Sequence, residues 1–329
     1  MSGQPLLRVR DLVVEFSTEH GVVRAVDRVS FDVFPNETLG LVGESGCGKT
    51  VTGLSILGLI PSPPGRIAGG SIQLDGRELV GLSESEFRRI RGRDVAMIFQ
   101  EPMTALNPVF TIGNQMIDVL RRYKGLTQRQ ARAAAIELLA KVGIPAPDRR
   151  IDEYPHQLSG GMRQRVVIAM ALSCGPKLIV ADEPTTALDV TTQAQVLEQI
   201  VKLQQEFHMS MILVTHDLGV VAETCHRAIV MYCGRIAEKA EIGPLFSAPR
   251  HPDPVGLLES IPRVGVHEKE DLAVIPGMVP DLLHLPRGCR FADRCSRRQA
   301  RCEEALPELD GSDESPTRVA CFHPYERTP

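Results

Sequence analysis

The segment that most constrains the fold of this chain is GESGCGKT, which runs from Gly43 to Thr50. It follows the short apolar run ETLGLVG and precedes an apolar, helix-compatible run from Val51 to Ile60. Glycines let the backbone N–H groups of such a loop turn towards phosphate oxygens, and the start of the next helix adds the positive end of its dipole. The segment therefore predicts a strand, a phosphate-binding loop and a helix.

Two side chains of this loop have chemical roles that can be predicted. Lys49 is expected to reach the β- and γ-phosphates of a nucleoside triphosphate, and the Thr50 hydroxyl is expected to ligate Mg²⁺. The positions expected to surround the phosphates are Gly43, Glu44, Ser45, Gly46, Cys47 and Gly48. Cys47 occupies a free position of the pattern and is interpreted as having no chemical role. A chance match in a glycine-rich turn is the alternative, and the flanking strand and helix patterns argue against it.

Composition argues against several classes of protein. The 329 residues include 37 basic and 41 acidic side chains, for a formal net charge of -4, whereas a nucleic-acid binder is expected to carry a basic surplus. The longest apolar run has about ten residues, well short of the roughly 20 that span a bilayer. The start, MSGQPLLRVRD, lacks the pattern of a secretory signal, which predicts a cytoplasmic location. The eight cysteines are then not expected to form structural disulfides.

Hydrophobic patterning predicts two kinds of strand. Val29, Phe31 and Val33 alternate with polar residues, and Ile72 and Leu74 do the same, which is typical of half-exposed antiparallel strands. The runs ETLGLVG, LIVADEP and MILVTHD are apolar and end in polar or glycine residues, as buried parallel strands do. The predicted fold class is therefore α/β.

The middle of the chain is predicted to be helical. Residues 111–142 are rich in Ala, Leu, Gln, Arg and Glu. This stretch ends at Gly143, and Pro145 follows, which together form a helix stop signal. The pattern predicts an inserted helical subdomain at about 101–165.

Composition changes again past about residue 244. Prolines recur there, and four cysteines then occur within 33 positions. The change predicts a domain boundary near residue 245. The predicted domains are a nucleotide-binding domain at 1–245 and a proline-rich extension at 246–329.

The motif LIVADEP brings two carboxylates to the end of a predicted strand. Such strand ends are where α/β nucleotide-binding proteins place the carboxylates that serve Mg²⁺ and the attacking water. Asp182 is expected to hold the metal through a water molecule, and Glu183 is expected to polarise the water that attacks the γ-phosphate. An ordinary surface strand end is the alternative, and the preceding phosphate loop favours the functional interpretation.

The motif LSGGM has the features of a second phosphate-binding helix start. Ser159 is a good N-cap residue for the helical pattern MRQRVVIAMALSC. Its hydroxyl, the amides of Gly160 and Gly161 and the helix dipole could all face an anion. An ordinary capped helix start is the alternative. If each motif serves a different nucleotide, two subunits must face each other head to tail, with ATP between the loop of one and the LSGG of the other.

Six motifs together have the order and spacing that resemble those of ABC transporter ATPase subunits. They are GESGCGKT, Gln100 in IFQEP, LSGGMRQR, LIVADEP, the ALD of residues 187–189 and His216 in VTHD. The resemblance covers about residues 6–245. Met162 departs from the commonest signature, which has glutamine at this position, but it lies outside the Ser and Gly residues that would bind phosphate.

This resemblance implies a P-loop NTPase fold of the RecA-like type, with an antiparallel β subdomain and a helical subdomain. It implies that Gln100 senses the γ-phosphate and Mg²⁺ and couples the site to membrane subunits. It also implies that His216 holds the γ-phosphate and that Asp189 lines the subunit interface. Phe16 is the implied aromatic residue stacked on adenine, and a strand residue packed in the β subdomain is the alternative for it.

Four cysteines near the end of the sequence form a second candidate site. Cys289, Cys295, Cys302 and Cys321 are separated by five, six and eighteen residues. Four thiols in a cytosolic chain predict tetrathiolate binding of an iron–sulfur cluster or of zinc. The spacing fits neither a zinc ribbon nor a ferredoxin and leaves the choice open. Four unligated thiols also remain possible, as does replacement of one cysteine by His323.

The segment QEPMTALNP at 100–108 and the cysteine-rich tail resemble the peptide and nickel importer branch, in particular its D-type dipeptide and oligopeptide subunits. The resemblance implies a [4Fe-4S] cluster, with zinc as the alternative. It implies ATP-driven import of di- or oligopeptides, with nickel or another small solute as the alternative cargo. The implied partners are a second, related ATPase subunit in a heterodimer, two membrane permease subunits and, indirectly, an extracytoplasmic peptide-binding protein. The subunit would then lie peripherally on the cytoplasmic face of the membrane.

Two other functions are compatible with an ATPase of this kind. A soluble ABC ATPase acting on DNA or ribosomes predicts a long coiled-coil insertion or two cassettes in one chain, and the sequence shows neither. The other is a regulatory module, in which the cysteine cluster senses redox state and the ATPase is secondary. It predicts that colour, iron content and activity change together when the protein is reduced.

Overall fold

The computed structural model describes residues 3–100, 105–186, 188–261, 274–311, 315 and 317–326. The chain forms two compact units. The first unit comprises Met1–Pro5, Val33–Thr38 and Gly81–Val214. The second unit comprises Leu6–Asp32, Leu39–Val80 and Thr215–Pro329.

Strands and helices are both distributed along the described chain. The strands are β1 (Leu7–Thr18), β2 (Gly21–Val33), β3 (Thr38–Val42), β4 (Gly65–Leu74), β5 (Arg77–Glu78), β6 (Val95–Ile98), β7 (Leu178–Asp182), β8 (Ser210–Thr215), β9 (Arg227–Tyr232), β10 (Arg235–Glu241) and β11 (Thr317–Val319). The α-helices are α1 (Lys49–Ile56), α2 (Glu84–Ile90), α3 (Ile112–Lys124), α4 (Gln128–Lys141), α5 (Pro147–Arg150), α6 (Gly160–Leu172), α7 (Val190–Glu206), α8 (Leu218–Thr224), α9 (Ile242–Ser247), α10 (Pro252–Glu259) and α11 (Ala300–Glu304). Short 3₁₀ turns occupy Pro155–Gln157 and Ala292–Arg294.

The second unit contains a four-stranded sheet in the order β2-β1-β4-β5. β1 pairs antiparallel with β4, and β4 pairs antiparallel with β5. The alternation expected from the sequence is present, because Val29, Phe31 and Val33 are buried on β2 and Ile72 and Leu74 are buried on β4. These side chains face a core on one side of the sheet, while the polar residues between them face the other side.

The second unit also holds the strand that leads into the phosphate loop. β3 pairs in parallel with β9, β9 pairs antiparallel with β10, and β10 pairs antiparallel with β11. Every residue of β3 is buried. This fits the expectation for the run ETLGLVG, because a parallel strand covered on both faces reads as a continuous apolar run.

The first unit contains the parallel strands β6, β7 and β8. β7 pairs with both neighbours, and all its residues are buried. The runs LIVADEP and MILVTHD therefore form the buried parallel strands that their sequences predict. Together with the surrounding helices, these strands confirm the α/β class.

The helical stretch predicted at 111–142 consists of two helices. Gly125 adopts a left-handed conformation with φ of 65° and ends α3. Thr127 then begins α4 through a capping box with Gln130, in which each side chain binds the other residue's backbone N–H. α4 ends where the sequence predicts, because Gly143 is left-handed with φ of 77°. The limits predicted for the helical subdomain, about 101–165, stay a prediction.

The C-terminal extension is anchored to the sheet that carries the phosphate loop. β11 hydrogen-bonds to β10 at the edge of that sheet, and Val319 is fully buried there. Phe291 packs in an apolar cluster with Tyr232, the last residue of β9, and Cys233, which follows it. Proline-rich sequence alone did not indicate this anchoring, because β11 is only three residues long. The domain boundary near residue 245 stays a prediction.

No helix in the described part of the chain combines the length and apolar character needed to cross a membrane.

Candidate functional site

The phosphate loop has a backbone that only glycine can adopt at two positions. Gly43 and Gly48 have φ values of 143° and 102°. A Cβ atom on Gly43 would collide with the carbonyl oxygen of Met231, and one on Gly48 would collide with that of Ala25. The loop is therefore packed against neighbouring backbone, and both glycines are required by that close approach.

Lys49 is held inside the loop. Its Nζ donates hydrogen bonds to the carbonyl oxygens of Gly43 at 2.6 Å and of Glu44 at 2.9 Å. The side chain is buried, and Nζ also lies 3.6 Å from the Sγ of Cys47. Thr50 follows in the first turn of α1, where it is exposed, and the N-cap of this helix is Gly48. The arrangement places one cation and a helix start at the same loop, which is what a phosphate group requires.

Three other positions of the loop differ in their exposure. Ser45 and Gly46 are exposed, so they are accessible to a ligand. Cys47 is buried, and burial raises the pKa of its thiol. A buried thiol with a raised pKa is a poor nucleophile, which agrees with the expectation that Cys47 has no chemical role.

Phe16 lies at the end of β1, opposite Gly65 on β4. Its ring is half-buried and covers Gly65 so closely that a Cβ atom there would lie 2.7 Å from the ring carbon Cε1. The described contact belongs to the β-sheet. Stacking of Phe16 on adenine stays a prediction.

The end of β7 carries the two carboxylates expected there. Asp182 is 3% exposed, and Glu183 follows it with a φ of 45°, a strained conformation for a side chain of this size. The Glu183 Oε2 atom accepts hydrogen bonds from Gln100 Nε2 at 3.1 Å and from Thr186 Oγ1 at 2.9 Å. Two residues that the sequence singled out separately, Gln100 and Glu183, are thus in direct contact.

The LSGG motif lies at the exposed start of α6. Ser159 caps this helix, and its Oγ accepts a hydrogen bond from the backbone N–H of Met162 at 3.3 Å. Gly161 lies close to Thr192, so a Cβ atom at residue 161 would be 2.8 Å from the Thr192 methyl carbon. Gly160 is different, because a Cβ atom there would have no neighbour within 4 Å. Nothing within the described chain requires glycine at residue 160.

Asp189 and His216 also lie at the ends of elements. Asp189 caps α7, where its carboxylate accepts hydrogen bonds from the backbone N–H of Thr192 at 3.0 Å and from its hydroxyl at 2.8 Å. The backbone and hydroxyl hydrogen bonds of Thr192 lower the pKa of Asp189. His216 is exposed directly after β8. The structure therefore gives Asp189 a capping role, while the predicted roles of both residues towards a partner or a nucleotide stay predictions.

The four cysteines of the extension line one small cavity, together with His251 and His323. Burial raises the pKa of Cys289 to about 11 and also raises the pKa values of Cys295 and Cys321. Among the described residues, no set of three or more His, Cys, Asp or Glu side chains is placed to hold a metal ion. The thiols share a cavity without forming a recognisable metal site, so the iron–sulfur prediction stays a prediction.

An ion pair that sequence reasoning missed connects the extension to the phosphate loop. Arg294 donates hydrogen bonds to both carboxylate oxygens of Glu44. The two residues are 250 positions apart, and no local pattern marks either of them as a partner of the other. Only the fold brings them together.

Comparisons with known proteins agree with these features. The pattern of the ABC transporter family matches residues 26–186, and that of the C-terminal region of oligopeptide/dipeptide transporters matches residues 237–302. The oligopeptide transport ATP-binding protein AppD of Bacillus subtilis is 50% identical over 317 residues, which cover 96% of both chains. The dipeptide transport ATP-binding protein DppD of the same organism is 49% identical over 304 residues, which cover 92% of this chain and 90% of that protein.

This chain belongs to the ABC transporter family of ATP-binding subunits. Among solved structures, the dimeric ATP-binding cassette MJ0796, in a post-hydrolysis state bound to ADP and Pi, is similar with a TM-score of 0.64 and 26% identity. The similarity covers 72% of this subunit and 98% of that chain. The P-loop NTPase fold implied by the motifs is thereby confirmed.

The ABC subunit buries a carboxyl group close to its phosphate loop. Asp253, in the first turn of α10, is fully buried, and neither carboxylate oxygen has a hydrogen-bond partner among the described residues. Burial, with a further contribution from the charge of Glu44, raises the pKa of Asp253 to about 7, while Arg294 opposes that rise. His251, which caps α10, has a pKa lowered to about 3 by its own burial.

The raised pKa of Asp253 predicts a pH-dependent stability. Because the folded protein binds this proton more tightly than the unfolded chain, stability falls as the pH rises from about 4 to about 7 and then levels off. We expect the free energy of unfolding of the wild type to fall, relative to that of Asp253→Asn, by up to about 1.4 kcal/mol per pH unit in this window. Denaturant titrations of both proteins between pH 4.5 and pH 8 measure this difference; parallel curves would contradict it.

Proposed function

We propose that this subunit hydrolyses ATP to drive the import of di- or oligopeptides through separate permease subunits in a membrane. The observation that carries the proposal is the phosphate loop, in which two obligatory glycines precede a helix that begins with a buried lysine. The match of residues 237–302 to the oligopeptide/dipeptide transporter C-terminal region supports the cargo class. It also favours a transporter over a soluble ABC ATPase that acts on DNA or ribosomes.

The proposed roles around the nucleotide follow from the chemistry of the side chains. Lys49 binds the β- and γ-phosphates, and His216 binds the γ-phosphate. Asp182, a buried carboxylate at a strand end, and the Thr50 hydroxyl are hard oxygen donors that suit Mg²⁺. When bound, Mg²⁺ would neutralise charge on the phosphates.

Glu183 is proposed to act as the general base. Its strained backbone and its hydrogen bond from Gln100 fix the carboxylate at the end of β7. A carboxylate held in this way can orient a water molecule and accept its proton. Gln100 would thus report on the state of the nucleotide through the residue that it contacts.

Replacement of Glu183 by glutamine is the most direct test of this role. We expect Glu183→Gln to bind ATP normally but to hydrolyse it at least about 100-fold more slowly, since the amide cannot accept a proton. The variant should therefore accumulate an ATP-bound closed dimer, measured by size-exclusion chromatography with ATP. Glu198→Gln, an exposed substitution on α7, is the matched control. Wild-type hydrolysis by Glu183→Gln would overturn the assignment.

The LSGG motif is proposed to bind the ATP held by a second ATPase subunit. The support is the open space at Gly160, where a methyl group would contact nothing in the described chain. A motif exposed at a helix start can meet the phosphates of a nucleotide that another subunit carries. The relatives are transporter subunits, and we favour a related but different ATPase as the partner.

Adding a methyl group at residue 160 should impair the assembled transporter without affecting the folding of this subunit. We expect Gly160→Ala to keep the wild-type melting temperature but to lose about ten-fold in ATPase activity of the assembled transporter, equivalent to roughly 1.4 kcal/mol. Gly243→Ala, on α9, is the control, because its added methyl group also meets nothing within 4 Å. Equal activity of the two variants would contradict a role for Gly160 at an interface.

We also propose that the subunit lies on the cytoplasmic face of the membrane, where it binds two permease subunits. An extracytoplasmic binding protein would deliver the peptide to those subunits, without contact to this chain. In this role the chain supplies the energy for transport, and the residues that select the cargo would belong to the other subunits.

The cysteine pocket is proposed to hold a [4Fe-4S] cluster. Cys289, Cys295, Cys302 and Cys321 supply four soft sulfur donors around one cavity, which is the donor set of such clusters. The raised pKa values of Cys289, Cys295 and Cys321 mean that binding would displace protons from these thiols. When bound, the cluster would cross-link distant parts of the extension and stabilise it.

Metal analysis of the full chain, purified without oxygen, tests this proposal. We expect iron and acid-labile sulfide in the wild type, and a loss of most of the iron together with a lower melting temperature in Cys295→Ser. Cys174→Ser, at a half-buried thiol outside the extension, should keep its iron. Bound zinc without acid-labile sulfide would overturn the cluster assignment.

A further inference from the structure

The C-terminal extension reaches the phosphate loop through one buried arginine. The Arg294 side chain is 5% exposed, and both of its terminal nitrogens donate to the carboxylate of Glu44, with Nη2 at 3.0 Å from Oε1. A bidentate pair of this kind fixes the plane of the carboxylate as well as its distance. Glu44 is the second residue of the phosphate loop, so the extension acts directly on that loop.

The guanidinium group of Arg294 is fixed on its other sides as well. Its Nε donates to the carbonyl oxygen of Pro276 at 3.0 Å, and Nη1 lies 3.4 Å from the hydroxyl of Tyr232. The ring of Phe291 lies 5.8 Å from the guanidinium carbon. Because these contacts orient the group before any ligand binds, the ion pair differs from a mobile surface salt bridge.

Arg294 belongs to the short turn that connects two of the extension's cysteines. The turn is closed by backbone hydrogen bonds from Ala292 N–H to the Cys289 carbonyl and from Cys295 N–H to the Ala292 carbonyl. Phe291, in the same turn, packs edge-on against Tyr232, with ring centroids 5.1 Å apart. The position of Arg294 is therefore set by the folded extension.

At the other end of the pair, two groups of Glu44 influence phosphate binding in opposite directions. Its carbonyl oxygen accepts a hydrogen bond from Lys49, which holds the loop closed around the lysine. Its carboxylate would repel a polyphosphate if it were left unpaired. Arg294 neutralises this charge and holds it in one place.

We propose that Arg294 is a positioning residue for ATP, through which the C-terminal extension orients and neutralises Glu44 of the phosphate loop. The inference rests on the assignment of this loop to ATP. It predicts that ATP affinity depends on the extension, although no residue of the extension belongs to the motifs that mark the nucleotide site.

The affinity of the full chain for MgATP tests this inference. We expect Arg294→Met to raise the Kd for a fluorescent ATP analogue, in the presence of Mg²⁺, by about ten-fold. Arg294→Lys, which keeps the charge but not the bidentate contact, should raise the Kd by a smaller factor. The double variant Arg294→Met/Glu44→Gln should recover part of the lost affinity, because it removes the unpaired carboxylate. In the assembled transporter, the KM for ATP should rise more than kcat falls.

The matched control is Arg298→Gln. Arg298 belongs to the same segment but pairs with Asp293 and Glu303 within the extension, so its loss should leave the Kd for ATP unchanged. A merely structural role of Arg294 would lower the melting temperature and leave the Kd of the folded protein at the wild-type value. That result with Arg294→Met, or with Arg294→Lys if the methionine variant does not fold, would overturn the inference.

A Lys49→Ala variant separates this inference from the assignment of the loop itself. If Lys49→Ala binds ATP as the wild type does, the assignment of the loop to ATP is wrong. If Lys49→Ala loses ATP binding while the Arg294 variants keep it, only the role of Arg294 is wrong.

Discussion

The close approach of the phosphate loop to neighbouring backbone is the constraint on which the second unit depends. Gly43 and Gly48 meet the carbonyl oxygens of Met231 and Ala25, which come from β9 and β2. A side chain at either glycine would push these strands away from the loop. The same glycines allow the backbone of the loop to turn its N–H groups towards phosphate, so the packing of the unit and its chemistry have a common requirement.

The extension adds a second set of contacts to this loop. β11 lengthens the sheet, Phe291 packs on Tyr232, and Arg294 binds Glu44. A segment with many prolines, which would form a poor core alone, is thus held by strand pairing, aromatic packing and a buried ion pair. Each contact ends on or beside the sheet that carries the phosphate loop. Under the proposed role of Arg294, a change in the extension would therefore alter ATP affinity without altering any of the nucleotide-binding motifs.

Sequence reasoning was most successful where local patterns carry the structure. The apolar runs LIVADEP and MILVTHD predicted buried parallel strands, and the structure has them as β7 and β8. The helical stretch predicted at 111–142 is present, and Gly125 and Thr127 divide it into two helices. Both residues carry signals that can be read from the sequence, a glycine C-cap and a threonine N-cap.

The sequence by itself determined the family, the phosphate loop and the identity of the residues offered for catalysis, because these depend on short motifs in a set order. Only the tertiary structure decided which residues touch: Gln100 meets Glu183 across 83 positions, and Arg294, which no motif marks, meets Glu44 across 250. It also decided that Asp253 is buried without a hydrogen-bond partner in the described part of the chain. Such pairings and burials depend on how distant segments pack, and no local pattern of residues encodes them.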